Sequence, residues 1–477
     1  MNALLTILCV LLALVLTVFI EGGAAAIAVC AVCALVAGLA VSAVREQREF
    51  LLQIFVGGLL VRIVIGTVIY SLNLQDFFGG DAITYDALGW ALCQSWRGDI
   101  VAQSFIADWG KAGGGLGMVY LVAAIYYALG RGMLAVQLFN SVVGAATAPV
   151  IFLCAWRIFR NMRVAKLAAF CVAFYPSLVL WSSQALKDGP IVFLLALSML
   201  ATLELGERFS AKYLAVLALS LVTVITLRFY VFYMVVAAVG GAFLVGMRPQ
   251  QGAQGLARQV IVIAALGLSM TYFGVLRTAG TQLETFANLE AVQRSRADLA
   301  GRATSGFAQD VDVSTTGGAI SFIPVGFVYL LFAPFPWQVA NLRQSITIPE
   351  MIVWWASFPL LVLGIWFTLK FRLRQALPIL LFTAMLTLAY SVFQGNIGTA
   401  YRQRSQLLVF YFIFVAAGAV LLKERQENRK QEALAMKQAA IESWREAQAR
   451  RRLELWKEKQ EQEIEDVARD ISERIKF

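Results

Sequence analysis

Long apolar runs alternate along the chain with short polar connections, and the length of the runs is a stronger signal than any shorter periodicity. Runs at 2–20, 24–43, 51–72, 133–157, 166–184, 189–205, 213–227, 229–247, 260–277, 351–369, 377–394 and 405–422 reach or approach the roughly 20 residues that carry a helix across hydrocarbon. Backbone groups in lipid must be hydrogen-bonded within their own segment, so the runs predict helices rather than open strands. The expected class is an all-α polytopic membrane protein with about 12 transmembrane helices. Two longer polar stretches, 73–132 and 278–349, interrupt the pattern. Each holds an apolar piece too short or too proline-broken to be counted: 117–129, and 322–337 with Pro324, Pro334 and Pro336. Both read as juxtamembrane or re-entrant segments. The chain then divides into two additional N-terminal helices in 1–50, a transmembrane core in 51–422 and a polar tail in 423–477.

Composition narrows this picture. With 60% apolar and 15% charged residues among 477, the chain has more apolar surface than a water-soluble domain can hide. Charge is also uneven: the tail Lys423–Phe477 holds 14 of the 40 Lys/Arg and 13 of the 30 Asp/Glu. The connections bearing Arg45 and Arg48, Arg157 to Lys166, Arg208 to Lys212, Arg248 to Arg258, and Lys370 to Arg374 fall on one side if the runs alternate. By the positive-inside rule that side, with both termini, is cytoplasmic, and the loops 73–132 and 278–349 are external. The formal net charge of +10 therefore belongs to topology and does not call for nucleic acid. Asn2 to Ile20 has neither a basic leader nor a clear cleavage site and reads as a retained helix rather than a signal peptide. The tail is rich in helix formers, with Ile464, Val467, Ile471 and Ile475 at near-helical spacing. It reads as a solvated helix or weak coiled coil, the alternative being a docking element for a cytoplasmic partner.

The chain has no histidine, which excludes zinc hydrolases, Ser-His and Cys-His nucleophile systems and His relays. Five of the six cysteines lie inside apolar runs, and the Cys30/Cys33 pair reads as helix packing rather than a redox or metal motif. Acids are essentially absent from the run centres, which counts against a proton- or cation-coupled transporter. Arg62, the one charge near a run centre, is expected to face the protein interior in a structural role. The conspicuous polar groups gather instead where runs end on the external side. In FFGGDAITYDALGW, Gly79 and Gly80 allow a sharp turn out of the membrane, and an interfacial helix starts at Asp81. Asp81 is either the N-cap of that helix or a general base for an acceptor hydroxyl, with Asp86 as a second acid. In YPSLVLWSSQALKDGPIVF, Pro176 is expected to kink a helix and Asp188-Gly189-Pro190 to start one. Lys187 beside that start is either a snorkelling partner of Asp188 or part of an anion site. Arg228, Arg402 and Arg404 are the other cations at external ends, and guanidinium suits phosphate because its planar fork donates two bonds at once.

These segments resemble a known family. The order of a GGD membrane exit, an interfacial helix, YLVAAIYYALGRGMLAVQLFNSVVGAATAPVIFLCAWRIF and YPSLVLWSSQALKDGPIVFLLAL is similar to membrane glycosyltransferases of the GT-C fold. The closest likeness is to the bacterial branch related to protein mannosyltransferases and the lipid A aminoarabinose transferase. It spans about residues 50–210, and more loosely the Arg-bearing entry to the last run. The resemblance implies a GT-C-like bundle in a bacterial inner membrane, using a sugar carried on a polyprenyl phosphate and a glycan, lipid or protein acceptor at the periplasmic face. It maps the loop acid onto Asp81, the acid at the start of the helix after the fifth run (166–184) onto Asp188, and the basic residue of the terminal span onto Arg402 or Arg404. Lys187 and Arg228 join the phosphate site by position, and Tyr85 joins Asp188 in the pocket. Where many relatives carry an adjacent acidic pair, this chain has Asp81 followed by Asp86. The implied mechanism is a single inverting attack with no cofactor required; a divalent metal lacks support because carboxylates are sparse. Two other classes share these features: a polysaccharide polymerase or ligase acting on lipid-linked glycans, and a noncatalytic flippase or scaffold.

Overall fold

The computed structural model describes residues 3–44, 46–111, 116–245, scattered positions between 260 and 267, 288–301, 305–308, 310–339 and 341–474. The run at 260–277 and the basic stretch Arg248 to Arg258 fall almost wholly outside the described residues. The protein is all-helical there, apart from one isolated bridge between Gly306 and Asn396.

The first helices are α1 (Ala3–Phe19), α2 (Gly23–Ser42) and α3 (Arg48–Ser71). After the membrane exit come α4 (Asp81–Trp96), α5 (Ile100–Lys111) and α6 (Gly117–Leu129). The core continues with α7 (Met133–Phe159), α8 (Met162–Phe174), α9 (Pro176–Ser182), α10 (Asp188–Glu207), α11 (Ala211–Leu227) and α12 (Phe229–Val245). The second polar stretch supplies α13 (Leu289–Gly301), α14 (Thr316–Phe332) and the short α15 (Leu342–Ser345). The last helices are α16 (Ile348–Phe371), α17 (Leu373–Phe393), α18 (Ile397–Gln403) and α19 (Ser405–Arg474).

Seven described helices are long and apolar enough to cross a membrane: α2, α3, α7, α10, α16, α17 and α19. The pair α8–α9 makes an eighth if its two halves, bent by 54°, form one span. The protein is a multi-pass membrane protein. The difference from about twelve has a physical cause: the runs at 2–20, 213–227 and 229–247 fold into helices of 17 residues, about 26 Å at 1.5 Å per residue. That is just short of the ~30 Å hydrocarbon core. The break in α8–α9 falls at Tyr175, held extended (φ −65°, ψ 125°) as the residue before Pro176.

Two compact units are distinguished, Met1–Gly418 and Ala419–Phe477. In the first, α7 is the hub, buried along most of its length and packed against α2, α3, α8 and α10. Small residues permit this packing. A Cβ on Gly144 of α7 would lie 2.4 Å from the Ser182 side chain, and one on Gly66 of α3 would lie 2.7 Å from the Ser183 carbonyl. Arg62 faces the interior, 1% exposed. Its Nε donates to Ser182 Oγ (2.8 Å) and its Nη1 to the carbonyls of Gly58 (3.0 Å) and Ala173 (2.7 Å), tying α3 to the broken helix. Thus α9 and the residues leading to Asp188 are clamped from two sides.

The second unit is helical up to Arg474, and every residue from Asn428 to Glu473 is exposed.

Candidate functional site

The chain leaves α3 through a turn in which Gly79 (φ 118°) and Gly80 (φ 49°) both adopt left-handed backbone, open to glycine at little cost. Gly80 is the N-cap of α4 and no side chain caps the helix. Asp81 therefore does not serve as the cap; its carboxylate turns toward Arg402, with Nη1 donating to Asp81 Oδ2 at 2.6 Å. Arg402 comes from α18, positioned by Asn396, whose side chain accepts from the Gly398 and Thr399 amides. The segment before α18 is held by residues 305–307: the Phe307 amide donates to the Gly395 carbonyl and the Ile397 amide to that of Ser305. The second polar stretch thus reaches the site indirectly, by seating α18. Its parts at 278–287, 302–304, 309 and 340 lie outside the described residues.

The same guanidinium meets Asp188, the first residue of α10. Arg402 Nε donates to Asp188 Oδ2 at 2.7 Å, and Nη2 lies 2.6 Å from that oxygen without an aligned hydrogen bond. The other oxygen, Oδ1, is 3.6 Å from Arg228 Nη2 and accepts no hydrogen bond among the described residues. Arg228, at the break between α11 and α12, also reaches the Tyr390 hydroxyl at 3.5 Å, and Tyr390 donates to Gln406. Exposure falls inward: the side chain of Asp81 is 51% accessible, that of Arg402 14% and that of Asp188 1%. One carboxylate faces water, the other is sealed in, and one arginine bridges them.

Tyr85 follows Asp81 by four residues, one turn along the same face of α4. Burial first, and then the negative charges of Asp81 and Asp188, push its phenol up to about 12. Lys187 is half-buried just before α10; its carbonyl accepts from the Ile191 amide, while its ammonium makes no hydrogen bond or ion pair among the described residues. Burial lowers its ammonium to about 8, helped by Arg228 and opposed by Asp188. Arg402 behaves in the opposite way: burial disfavours its charge, but Asp188 and Asp81 outweigh that and hold it protonated.

Two residues expected at this site lie apart from it. Asp86 is five positions beyond Asp81, about 140° around the helix, and it accepts from the Tyr126 hydroxyl (2.5 Å) and Arg131 Nη2 (2.6 Å). It fastens α4 to α6. Arg404 lies two residues beyond Arg402 and turns inward, 1% exposed, donating to the Leu331 carbonyl at 2.7 Å and contacting Met351 Sδ at 3.1 Å. It locks the end of α14 and α16 onto the entry to the last helix. Sequence reasoning also missed the aromatic wall: the Arg402 guanidinium lies over Trp181 at 5.7 Å, and Trp181 packs edge-on to Tyr401. Aromatics are common along this chain, so nothing in the sequence singles out Trp181 or Tyr390.

Among the described residues no three acidic or cysteine side chains converge where a metal ion could be held. What the site offers is a cationic group of Arg228, Arg402 and Lys187 around a buried carboxylate, with a second carboxylate at the mouth. It can bind an anion and take up a proton beside it.

Residues 111–276, about a third of the chain, match the family model described as dolichyl-phosphate-mannose-protein mannosyltransferase. This bears out the GT-C resemblance and the class of enzyme: the segment is similar to a domain of membrane glycosyltransferases, a family that uses a polyprenyl-phosphate-linked sugar. The matched segment contains Lys187, Asp188 and Arg228; Asp81 and Tyr85 precede it and Arg402 follows it. No curated protein and no solved structure matches the chain.

Proposed function

We propose that this chain, carrying a domain of the dolichyl-phosphate-mannose-protein mannosyltransferase family, moves a sugar from a polyprenyl-phosphate donor to an acceptor hydroxyl at the external face of a bacterial inner membrane. The observation that carries the reading is the bridge of Arg402 between Asp81 and Asp188, with Arg228 and Lys187 beside it. The donor phosphate competes with Asp81 for Arg402 and is held by Arg402, Arg228 and Lys187. Asp188 keeps the Arg402 fork oriented through Nε. Asp81, released from Arg402, accepts the proton of the acceptor hydroxyl as that oxygen attacks the anomeric carbon. The carbon–phosphate oxygen bond breaks, its electrons pass to the phosphate, and the cations stabilise the growing charge. One displacement inverts the anomeric centre.

The external placement is supported by the opposite ends of the same helices. Asp188 opens α10 and Glu207 closes it, about 30 Å away for a 20-residue helix. At that far end a cleft of about 840 Å³ is lined by Arg157, Arg160, Lys370, Arg372 and Arg374 together with Glu207. This is the cationic end that the positive-inside rule assigns to the cytoplasm.

The test is transfer of radiolabelled sugar in membranes. Asp81→Asn should lower transfer by about 10²–10⁴-fold, the usual worth of a positioned base. It should bind donor at least as well as the parent, because a competitor for Arg402 has gone. Arg402→Ala should lose transfer while Arg372→Ala in the opposite cleft keeps it. Full transfer by Asp81→Asn would remove the base assignment, and a long-chain product would identify a polymerase instead.

A further inference from the structure

Beyond the transferase reading, and independent of it, the second unit carries a pattern that no contact among the described residues uses. Ala449, Leu453, Trp456, Gln460, Ile464, Val467 and Ile471 follow one another at steps of four, three, four, four, three and four. On a helix of 3.6 residues per turn, all seven lie within about 40° of one line. Leu453, Trp456, Ile464, Val467 and Ile471 are between 52% and 66% exposed. Of the large apolar residues from 449 to 471, only Leu455 points elsewhere. The spacing reads the same in both directions about Gln460. Reversing the helix end for end superposes the stripe on itself, Leu453 on Val467 and Trp456 on Ile464.

The charges are not symmetric in this way. From Arg445 to Lys459 there are six Lys/Arg and three Glu; from Glu461 to Glu473 there are six acids and the single base Arg469. A parallel pair of such helices sets like charge beside like. An antiparallel pair centred on Gln460 sets Lys457 and Lys459 near Glu461 and Glu463 of the second helix, and Arg452 near its Asp470. Opposite charges flanking an apolar seam select orientation, and a lone polar residue within the seam fixes register.

We infer that the tails of two copies of this chain pair antiparallel about Gln460, burying the stripe from Ala449 to Ile471. Confinement to one membrane favours the pairing further by raising the effective concentration of tails.

Disulfide trapping in full-length protein in membranes tests this, since the six native cysteines all precede the tail. Two differently tagged copies carry Leu453→Cys and Val467→Cys respectively. The antiparallel pair predicts a disulfide between the two tags and none between copies that both carry Leu453→Cys, whose sulfurs would stand about 21 Å apart along the helices. Disulfides between two Leu453→Cys copies would show parallel pairing and overturn the inference, as would the absence of any disulfide. Lys457→Glu with Lys459→Glu in one copy should cut the mixed disulfide by about tenfold, and Glu461→Lys with Glu463→Lys in the other copy should restore it. A yield indifferent to these exchanges would also overturn the inference.

Discussion

At the scale of single residues, rarity made the site legible. In a chain with so few charges outside its tail, Asp81, Asp188, Arg228 and Arg402 stand out individually, and the fold brings them together. Asp86 and Arg404 stand out equally and lie elsewhere, because 100° of rotation per residue sends neighbours in sequence to different faces. That signal was present in the spacing for Asp86, five residues from Asp81. It was absent for Arg404, which lies where one helix hands over to the next. The two arginines should therefore separate in experiment. Arg402→Lys keeps a cation beside Asp188 but cannot span two carboxylates, so transfer should fall at least about tenfold with little change in melting temperature. Arg404→Met should lower the melting temperature in detergent by about 5 °C or more, while the protein that remains folded keeps transfer. Lys187 adds a pH dependence. Its ammonium loses its proton near pH 8, and a phosphate favours the protonated form, so donor affinity should weaken as pH rises through about 8. Lys187→Arg should abolish that weakening in a donor-binding titration. Persistence of the same pH profile in the variant would show that another group titrates.

At the scale of elements, run length gave most helices and their order, but not which of them are complete spans. A hydropathy run does not by itself fix where its helix starts and stops: 213–227 and 229–247 meet at Arg228, and each folds into a helix of 17 residues. The proline break was visible in advance at Pro176. Its use was not: the turn lets α9 lead the chain back toward Asp188 while Arg62 and Gly144 pin it from α3 and α7. Arg62→Met should loosen that clamp, lowering the melting temperature by about 5 °C or more and lowering transfer as Asp188 shifts. Gly144→Leu should be worse, since the Ser182 side chain already stands where its Cβ would go. An unchanged melting curve for either variant would contradict the packing described. Gly364 and Gly418 play a similar part at the end of the bundle. A Cβ on either would meet backbone atoms of the facing helix at about 2 Å (1.8 Å and 2.1 Å), so larger residues there should force α16 and the last span apart.

At the scale of the whole molecule, charge is sorted from end to end. Cations with few carboxylates crowd the cleft at Arg157 and Lys370, while at the Asp188 end three cations are matched against two carboxylates. The excess at that end is one positive charge while Lys187 holds its proton. A sugar-loaded carrier is a phosphodiester with one negative charge; the spent carrier is a monoester with nearly two at neutral pH. On the proposed reading, the centre that eases departure of the carrier must then cling to what has departed. Unloaded polyprenyl phosphate should compete with the loaded form at lower concentration, and turnover should be paced by its escape into the bilayer. Raising the pH past the Lys187 transition would quicken that escape even as it weakens capture.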